Sequence, residues 1–267
     1  MKVEVLLSTM NQTDFQIVSA CNISGNTIVV NQCNKDDLII LRSDNPRIVW
    51  IDSVERGLSR SRNVALSHSS GDILLLCDDD VIYYDNYQEI VKNAFEKMPD
   101  ADVIIFDIDE IGTNEKRRKA TKSSKVPFFR TFGSVHIAIR RNTFQKNKIL
   151  FNEYFGAGSG MYSMAEDALL FRDFHRKKMK VYRYPATISK VTFESSSWFS
   201  GFDEKYFYDT GAYLAAAYPK MHFLLKWYYP FRLFSKTELS ILKMIRFLSM
   251  GIRGYKKKIS YSEKMGL

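Results

Sequence analysis

Short apolar runs alternate with polar segments through the first 140 residues. Val3–Leu7 alternates as a strand does and ends in the polar stretch Ser8-Thr9-Met10-Asn11-Gln12. Helical propensity around Asp14–Ala20 precedes a second strand, Thr27–Val30, which closes on Asn31-Gln32-Cys33-Asn34. Leu38–Leu41 and Ile48–Ile51 predict further strands, Leu58–Ser67 a helix, and Ile73–Leu76 a strand apolar enough to be buried on both faces. Beyond it, Tyr87–Met98 reads as a helix, and Asp102–Ile108 and Val135–Arg140 as strands. Strands spaced by helices in this way predict an α/β protein with a mostly parallel, doubly wound sheet. Its polar strand-end loops then line one rim, where such sheets bind nucleotides.

Composition agrees with a folded chain: 267 residues, 45% hydrophobic and 26% charged, can bury a sizeable core. Cys21, Cys33 and Cys77 have neither zinc-site spacing nor a disulfide framework and read as reduced cytosolic thiols. The first residues lack the long apolar core of a secretory signal. The formal net charge of +9 is unevenly placed, because eleven basic and two acidic residues fall from Lys220 onward. The preceding 219 residues are neutral. Such localisation points to an anionic surface touched by the tail and away from a nucleic-acid-binding protein.

Candidate chemistry begins with Asp78-Asp79-Asp80 at the end of the buried strand. Adjacent carboxylates repel, and a divalent cation or hydrogen-bond donors relieve them; a polar turn is the other reading. Gly156-Ala157-Gly158-Ser159-Gly160 permits close backbone approach to a ligand, and Glu166-Asp167 opens an apolar helix. Those acids either cap the helix or supply a general base. Residues 112–125 are strongly basic, as a solvated hairpin tip or a phosphate or acceptor contact would be.

The tail combines Trp227, Tyr228, Tyr229, Phe231 and Phe234 with ten basic residues over 220–258. Ser235-Lys236-Thr237-Glu238 matches a capping box, predicting a helix with Leu239, Leu242, Ile245 and Leu248 on one side. No apolar run is long enough to span a bilayer. A basic amphipathic helix with aromatics fits an anionic membrane surface, and packing against protein is the alternative.

Gly57 through Arg62-Asn63 to Gly71-Asp72, the strand and Asp78-Asp79-Asp80 together resemble the bacterial family-2 glycosyltransferases of the GT-A fold. Phe155–Gly160 with Glu166-Asp167 is similar to their glycine-rich acceptor segment, and Glu194–Phe199, with Lys205–Phe207 and Gly211-Ala212, to enzymes building capsular or other surface polysaccharides. The resemblance implies an inverting, metal-dependent transfer of a hexose from a UDP-sugar to a growing, lipid-linked glycan on the inner membrane face. It implies Asp80 as ligand to Mn²⁺ or Mg²⁺, Asp78 near the ribose, and Ser8, Thr9, Asn11 and Arg62 around the nucleotide. Asp167 is implied as the base, and Gly158, Ser159, Gly160, Glu166 and Trp198 as donor-sugar or acceptor contacts. The family often carries an acid in the loop after the second strand, whereas Asn31 and Gln32 stand here, and Gln32 is assigned to the base edge. No histidine is assigned to the metal.

The expected organisation is a nucleotide-sugar half over 1–110, an acceptor half over 111–218, and a basic helical tail over 219–267, with an oligomer possible. Two other functions compete. A nucleotide-sugar pyrophosphorylase would carry a glycine-rich basic loop after the first strand, which Ser8–Gln12 does not; an inactive membrane-binding protein of transferase fold would lose the carboxylates.

Overall fold

The computed structural model describes residues 1–42, 46–112, 118–192 and 201–266. In chain order these form β1 (Val3–Met10), α1 (Ile17–Ala20), β2 (Asn26–Gln32), β3 (Asp37–Arg42), β4 (Ile48–Ser53), α2 (Leu58–His68), β5 (Ile73–Asp78), β6 (Val81–Tyr83) and α3 (Tyr87–Lys97). There follow β7 (Val103–Ile111), β8 (Ser124–Lys125), β9 (Ile137–Arg140), α4 (Arg141–Lys146), α5 (Glu166–Arg176), β10 (Val181–Thr192), α6 (Glu204–Ala217), α7 (His222–Leu233), α8 (Ile241–Lys257) and α9 (Tyr261–Met265). Two compact units emerge. The first is Met1–Arg56, Arg60–Phe151 and Leu170–Ser195; the second is Gly57–Ser59, Asn152–Leu169 and Ser196–Leu267. The sequence-based boundaries at 110/111 and 218/219 therefore fall inside these units.

Among the described residues, the first unit holds a ten-stranded sheet in the order β3-β4-β2-β1-β5-β9-β7-β10-β6, with β8 also on β10. Its pairing is mixed. β4, β2, β1 and β5 run parallel, and β7 runs parallel to β10, but β9 enters antiparallel between β5 and β7. Since β5 and β7 both oppose β9, they run the same way. Their C-terminal ends share one rim with those of β1, β2, β4 and β10.

The continuous apolar run of β5 follows from burial on both sides of the sheet. Ile73, Leu75 and Cys77 enter one core cluster with Val5, Leu7 and Phe106; Leu74 and Leu76 enter the other with Leu6, Ile28 and Val30. Period-two alternation thus selects the core, not the presence of polar residues. α3 covers one face through Tyr87, Val91, Ala94 and Phe95, spaced as one helical stripe. Glu4 is fully buried within β1, where its carboxylate accepts the backbone N–H groups of Ser70 and Gly71 at 2.6 and 2.8 Å. A side chain at Gly71 would begin 2.6 Å from Glu4 Cβ, so glycine is required there.

In the second unit, α6 and α8 meet at glycines. A Cβ at Gly211 would lie 2.2 Å from the Leu248 carbonyl oxygen, and one at Gly251 would lie 1.8 Å from that of Tyr208. This contact corrects the expected tail helix. α8 starts at Ile241 with Ser240 as its cap, while Phe234–Lys236 forms a 3₁₀ turn and Thr237 donates its hydroxyl to the Phe202 carbonyl at 2.7 Å. The Ser235–Glu238 capping box is absent. The buried face is Met244, Phe247, Leu248, Gly251 and Ile252, whereas Leu242 stands 79% exposed. The glycines set which side packs. No described helix is long and apolar enough to cross a membrane.

Candidate active site

At the rim of the first unit, strand register aligns most of the residues singled out in the sequence. Ser8 lies opposite Asp78, and Thr9, Asn31 and Asp52 form a row across β1, β2 and β4. Ser61 on α2 donates to Ser8 Oγ at 2.9 Å, and Thr9 Oγ1 donates to Asp79 Oδ2 at 2.8 Å. Asn11 follows with φ at 54°, a left-handed conformation that asparagine tolerates. Its N–H reaches the Gln32 carbonyl at 3.0 Å, closing the loop over the end of β2.

Arg62 is the buried centre of this rim, 1% exposed and brought in by α2. Its Nη2 donates to both carboxylate oxygens of Asp78, at 2.8 and 3.0 Å, and also to Ser134 Oγ. The guanidinium lies 5.2 Å from the centre of the Phe151 ring. A planar fork stacked on an aromatic face is the geometry in which arginine differs from lysine. Beside it, Asn63 exchanges two hydrogen bonds with the Phe151 backbone, at 2.8 and 3.0 Å.

The three aspartates are consequently unequal. Asp78 is held by Arg62 and Asp79 by Thr9. Asp80 takes its own backbone N–H and no other hydrogen bond or ion pair among the described residues. Its carboxyl is pushed up to about 6, first by burial and then by the charges of Asp78 and Asp79, although one side of it is open to solvent. Three neighbouring oxygen donors whose mutual repulsion a cation would relieve fit a hard divalent ion. No group of three or more His, Cys, Asp or Glu among the described residues forms a metal cage.

Asp52 was not singled out in the sequence, and Asp79 was given no role of its own within the triplet. Asp52 accepts from Asn31 Nδ2 at 2.7 Å, Trp50 Nε1 at 2.9 Å and Lys35 Nζ at 2.8 Å. Burial alone would raise its pKa, yet the hydrogen bonds from Lys35, Trp50, Asn31 and Cys33 hold it below the usual carboxylate value. The Asn31 amide is fully engaged, its Oδ1 accepting the Gln12 N–H at 3.0 Å and its Nδ2 also reaching the Gln12 carbonyl. Gln32, at the end of β2, is itself buried.

A second feature of the rim lies past β9. Asp107 pairs with Arg183 at 2.6 Å and accepts the Ala120 N–H, and a cavity of about 180 Å³ is lined there by Arg118, Lys119, Arg130, Arg183, Glu110 and His136, among others. The guanidiniums of Arg130 and Arg183 lie 5.0 and 5.7 Å from the centre of the Phe132 ring. Two residues of the basic segment 112–125 thus line a cavity.

The second unit carries the glycine-rich loop. Gly156, Gly158 and Gly160 have φ of 105°, 71° and 75°, which side chains rarely adopt. Ser59 Oγ donates to the Phe155 carbonyl at 2.6 Å and the Leu58 N–H to that of Ala157 at 2.9 Å, fixing the loop on Gly57–Ser59. A Cβ at Gly156 would lie 3.3 Å from the Glu166 carboxyl carbon, so this glycine makes room for Glu166. Ser159 is buried and turns inward to the Tyr162 carbonyl at 3.0 Å. Ala165, with φ at 78°, strains the backbone just before Glu166 and Asp167, both half-buried in the first turn of α5. Asp209, fully buried on α6, anchors this segment by accepting the Ser163 N–H and hydroxyl at 3.0 and 2.8 Å, with Lys205 at 2.6 Å. Its only trace in the sequence is the i, i+4 spacing from Lys205. Trp198 and the Glu194–Phe199 motif lie outside the described residues.

A mixed α/β sheet with carboxylates gathered where its parallel strands end is the build of a GT-A nucleotide-binding domain. The chain belongs to glycosyl transferase family 2, whose family model matches residues 4–165. Among solved structures it is similar to S. aureus TarS. TarS 1–349 in complex with UDP-GlcNAc superposes with a TM-score of 0.60 at 13% identity, over 99% of this chain and 75% of that one. The complex with UDP gives 0.60 at 13% identity, over 99% and 77%, and longer TarS gives 0.58 at 13%, over 100% and 45%. No curated protein sequence matches the chain.

Proposed function

We propose that this glycosyltransferase is metal-dependent and inverting, and moves a hexose from a UDP-sugar to a lipid-linked glycan at the inner membrane face during bacterial surface polysaccharide synthesis. The observation that carries the reading is the unequal Asp triplet: Asp78 clamped by Arg62, Asp79 by Thr9, and Asp80 crowded by both and otherwise uncommitted. The nucleotide complexes of TarS support a nucleotide-sugar donor.

Asp80 would hold Mn²⁺ or Mg²⁺ against the donor diphosphate, a cation that neutralises the charge developing on the leaving group. Asp78, oriented by Arg62, takes the ribose hydroxyls; Ser8, Thr9, Asn11 and Gln32 border the base. Asp167 accepts the proton of the acceptor hydroxyl as that oxygen forms its bond to the anomeric carbon. The carbon–oxygen bond to UDP breaks, and UDP departs with the electron pair. A positioned carboxylate base contributes about 10²–10⁴-fold. Glu166, resting against Gly156, binds sugar hydroxyls together with the Gly158–Gly160 backbone and Trp198.

Turnover of a panel of UDP-sugars, with Mn²⁺ or with EDTA, tests this. Asp80→Ala is expected to abolish the EDTA-sensitive turnover, and Asp167→Asn to leave UDP binding by calorimetry intact while transfer falls at least about a hundredfold. Full turnover by Asp80→Ala, or equal loss of binding and transfer in Asp167→Asn, refutes the assigned roles.

A further inference from the structure

The helices of the second unit differ sharply in what they show to water. α8, the element whose basic amphipathic sequence suggested a membrane face, spends its apolar side on α6. α7 is apolar on both sides. Leu225, Tyr229 and Leu233 pack inward with Phe207, Met244 and Leu248. Outward stand Phe223, Leu224, Trp227, Tyr228, Phe231 and Phe234, each between 52% and 68% exposed. At 100° per residue the five of these on α7 fall within an arc of about 140° that contains no charged or amide side chain, and Phe234 follows in the 3₁₀ turn. A surface helix of a water-soluble domain normally presents the reverse.

The charges around this face have one sign. Lys220, Lys226, Arg232 and Lys236 flank or follow it, and no Asp or Glu occurs from Lys220 to Thr237. Lys226 lies at the border, its Nζ 5.3 Å from the Trp227 ring centre. Long cationic side chains can lay their stems along apolar surface and keep their heads at a polar boundary. A second copy meeting the same face in a twofold dimer would bring these cations together with no carboxylate of the segment to offset them. An anionic bilayer offers both what the face and what its border require: an apolar boundary layer, and phosphate headgroups beside it.

We propose that α7 is an interfacial helix, inserting Phe223, Trp227, Phe231 and their neighbours among the acyl chains just below the headgroups while Lys220, Lys226, Arg232 and Lys236 engage anionic lipid. Aromatics with one polar edge, Trp227 and Tyr228, lie where such side chains favour the membrane boundary. The inference rests on the proposed lipid-linked acceptor only for its purpose. The binding itself is measurable without transfer.

The test is sedimentation of the full chain with phosphatidylcholine vesicles, with and without phosphatidylglycerol. Binding is expected to be about tenfold or more stronger to the anionic vesicles, and to weaken with salt. The pair Trp227→Ser and Phe231→Ser should lower partition at least about tenfold with an unchanged melting temperature, because both side chains are exposed. Brominated acyl chains should quench the parent's emission and spare that of Trp227→Phe. Asp80→Ala should bind vesicles as the parent does, so a failed transferase assignment would leave this result standing. Unchanged partition of the Ser variant overturns the inference. So does a concentration-dependent dimer that the Ser variant loses while the parent ignores vesicles.

Discussion

Gly251→Ala tests whether α8 is a structural helix of the second unit. On an isolated helix the change would stabilise by about 1 kcal/mol, because alanine is the better helix former. Here the new methyl would lie 1.8 Å from the Tyr208 carbonyl oxygen, 2.7 Å from its carbon and 3.1 Å from the Ala212 nitrogen. An ordinary carbon–oxygen approach needs roughly 3.3 Å, so α6 and α8 would have to part by about 1.5 Å. The obstacle is backbone, which cannot swing aside as a side chain can. Parting the helices would also loosen Phe207, Leu214, Met244 and Leu248, which share one core cluster. Overpacking of this kind costs about 1–3 kcal/mol, and the backbone contact places it at or above the upper end, so a net loss of about 2–3 kcal/mol remains. At about 2–4 °C per kcal/mol, calorimetry should show the melting temperature fall by roughly 4–12 °C. Leu242→Ala, on the same helix but 79% exposed, should move it by less than about 2 °C. A Gly251→Ala protein as stable as the parent would refute the α6–α8 contact and with it the assignment of the tail to the core.

Two further outcomes concern the rim. Arg62→Lys removes the guanidinium whose Nη2 reaches both oxygens of Asp78 as well as Ser134, so UDP affinity by titration calorimetry should fall about tenfold; unchanged affinity would deny Arg62 its positioning role. Asp80, raised from 3.8 to about 6, holds its proton more tightly folded than unfolded. Stability in EDTA should therefore decline as pH rises from about 4 to about 6, and level off above. Asp80→Asn should flatten that decline in thermal melts. An unaltered pH profile would show that the crowding at Asp80 carries no free energy.

How much of this was legible depended on whether neighbours in sequence were neighbours in space. β5 could be read because burial on both faces leaves a plain signature, Ile73 to Leu76, and because its end carries an unusual run of charge. The order of Arg62, Gly71-Asp72 and the triplet is local, and so is the resemblance it carries. Asp52 and Asp209 were invisible for the opposite reason. Each is an ordinary aspartate until strand pairing brings Asn31 to one, and helix packing brings Ser163 to the other. β9 reads as a strand within Val135–Arg140, but not as antiparallel, because a four-residue strand does not announce its direction. In the tail the stripe Leu239, Leu242, Ile245 and Leu248 was periodic, but the close approach permitted by Gly211 and Gly251 keeps Leu248, adds Met244 and Phe247, and leaves Leu242 outside. α7 is apolar on two sides, so its sequence does not say which of them packs; only the fold shows which stays uncovered.

The bond between Asn31 and Asp52 bears on how this chain can change over generations. Asn31→Asp is a single exchange that would place an acid at this end of β2. Here that mutation would set two carboxylates against each other across the 2.7 Å now spanned by the Asn31 amide, and would also withdraw the donor to the Gln12 carbonyl. Asp52→Asn alone strands the neighbouring donors of Lys35 and Trp50 on a neutral partner. Made together, the two exchanges return one acid and one amide to the pair. Positions 31 and 52 are thus coupled: either exchange alone leaves the pair mismatched, and the two are expected to be non-additive in a double-mutant cycle.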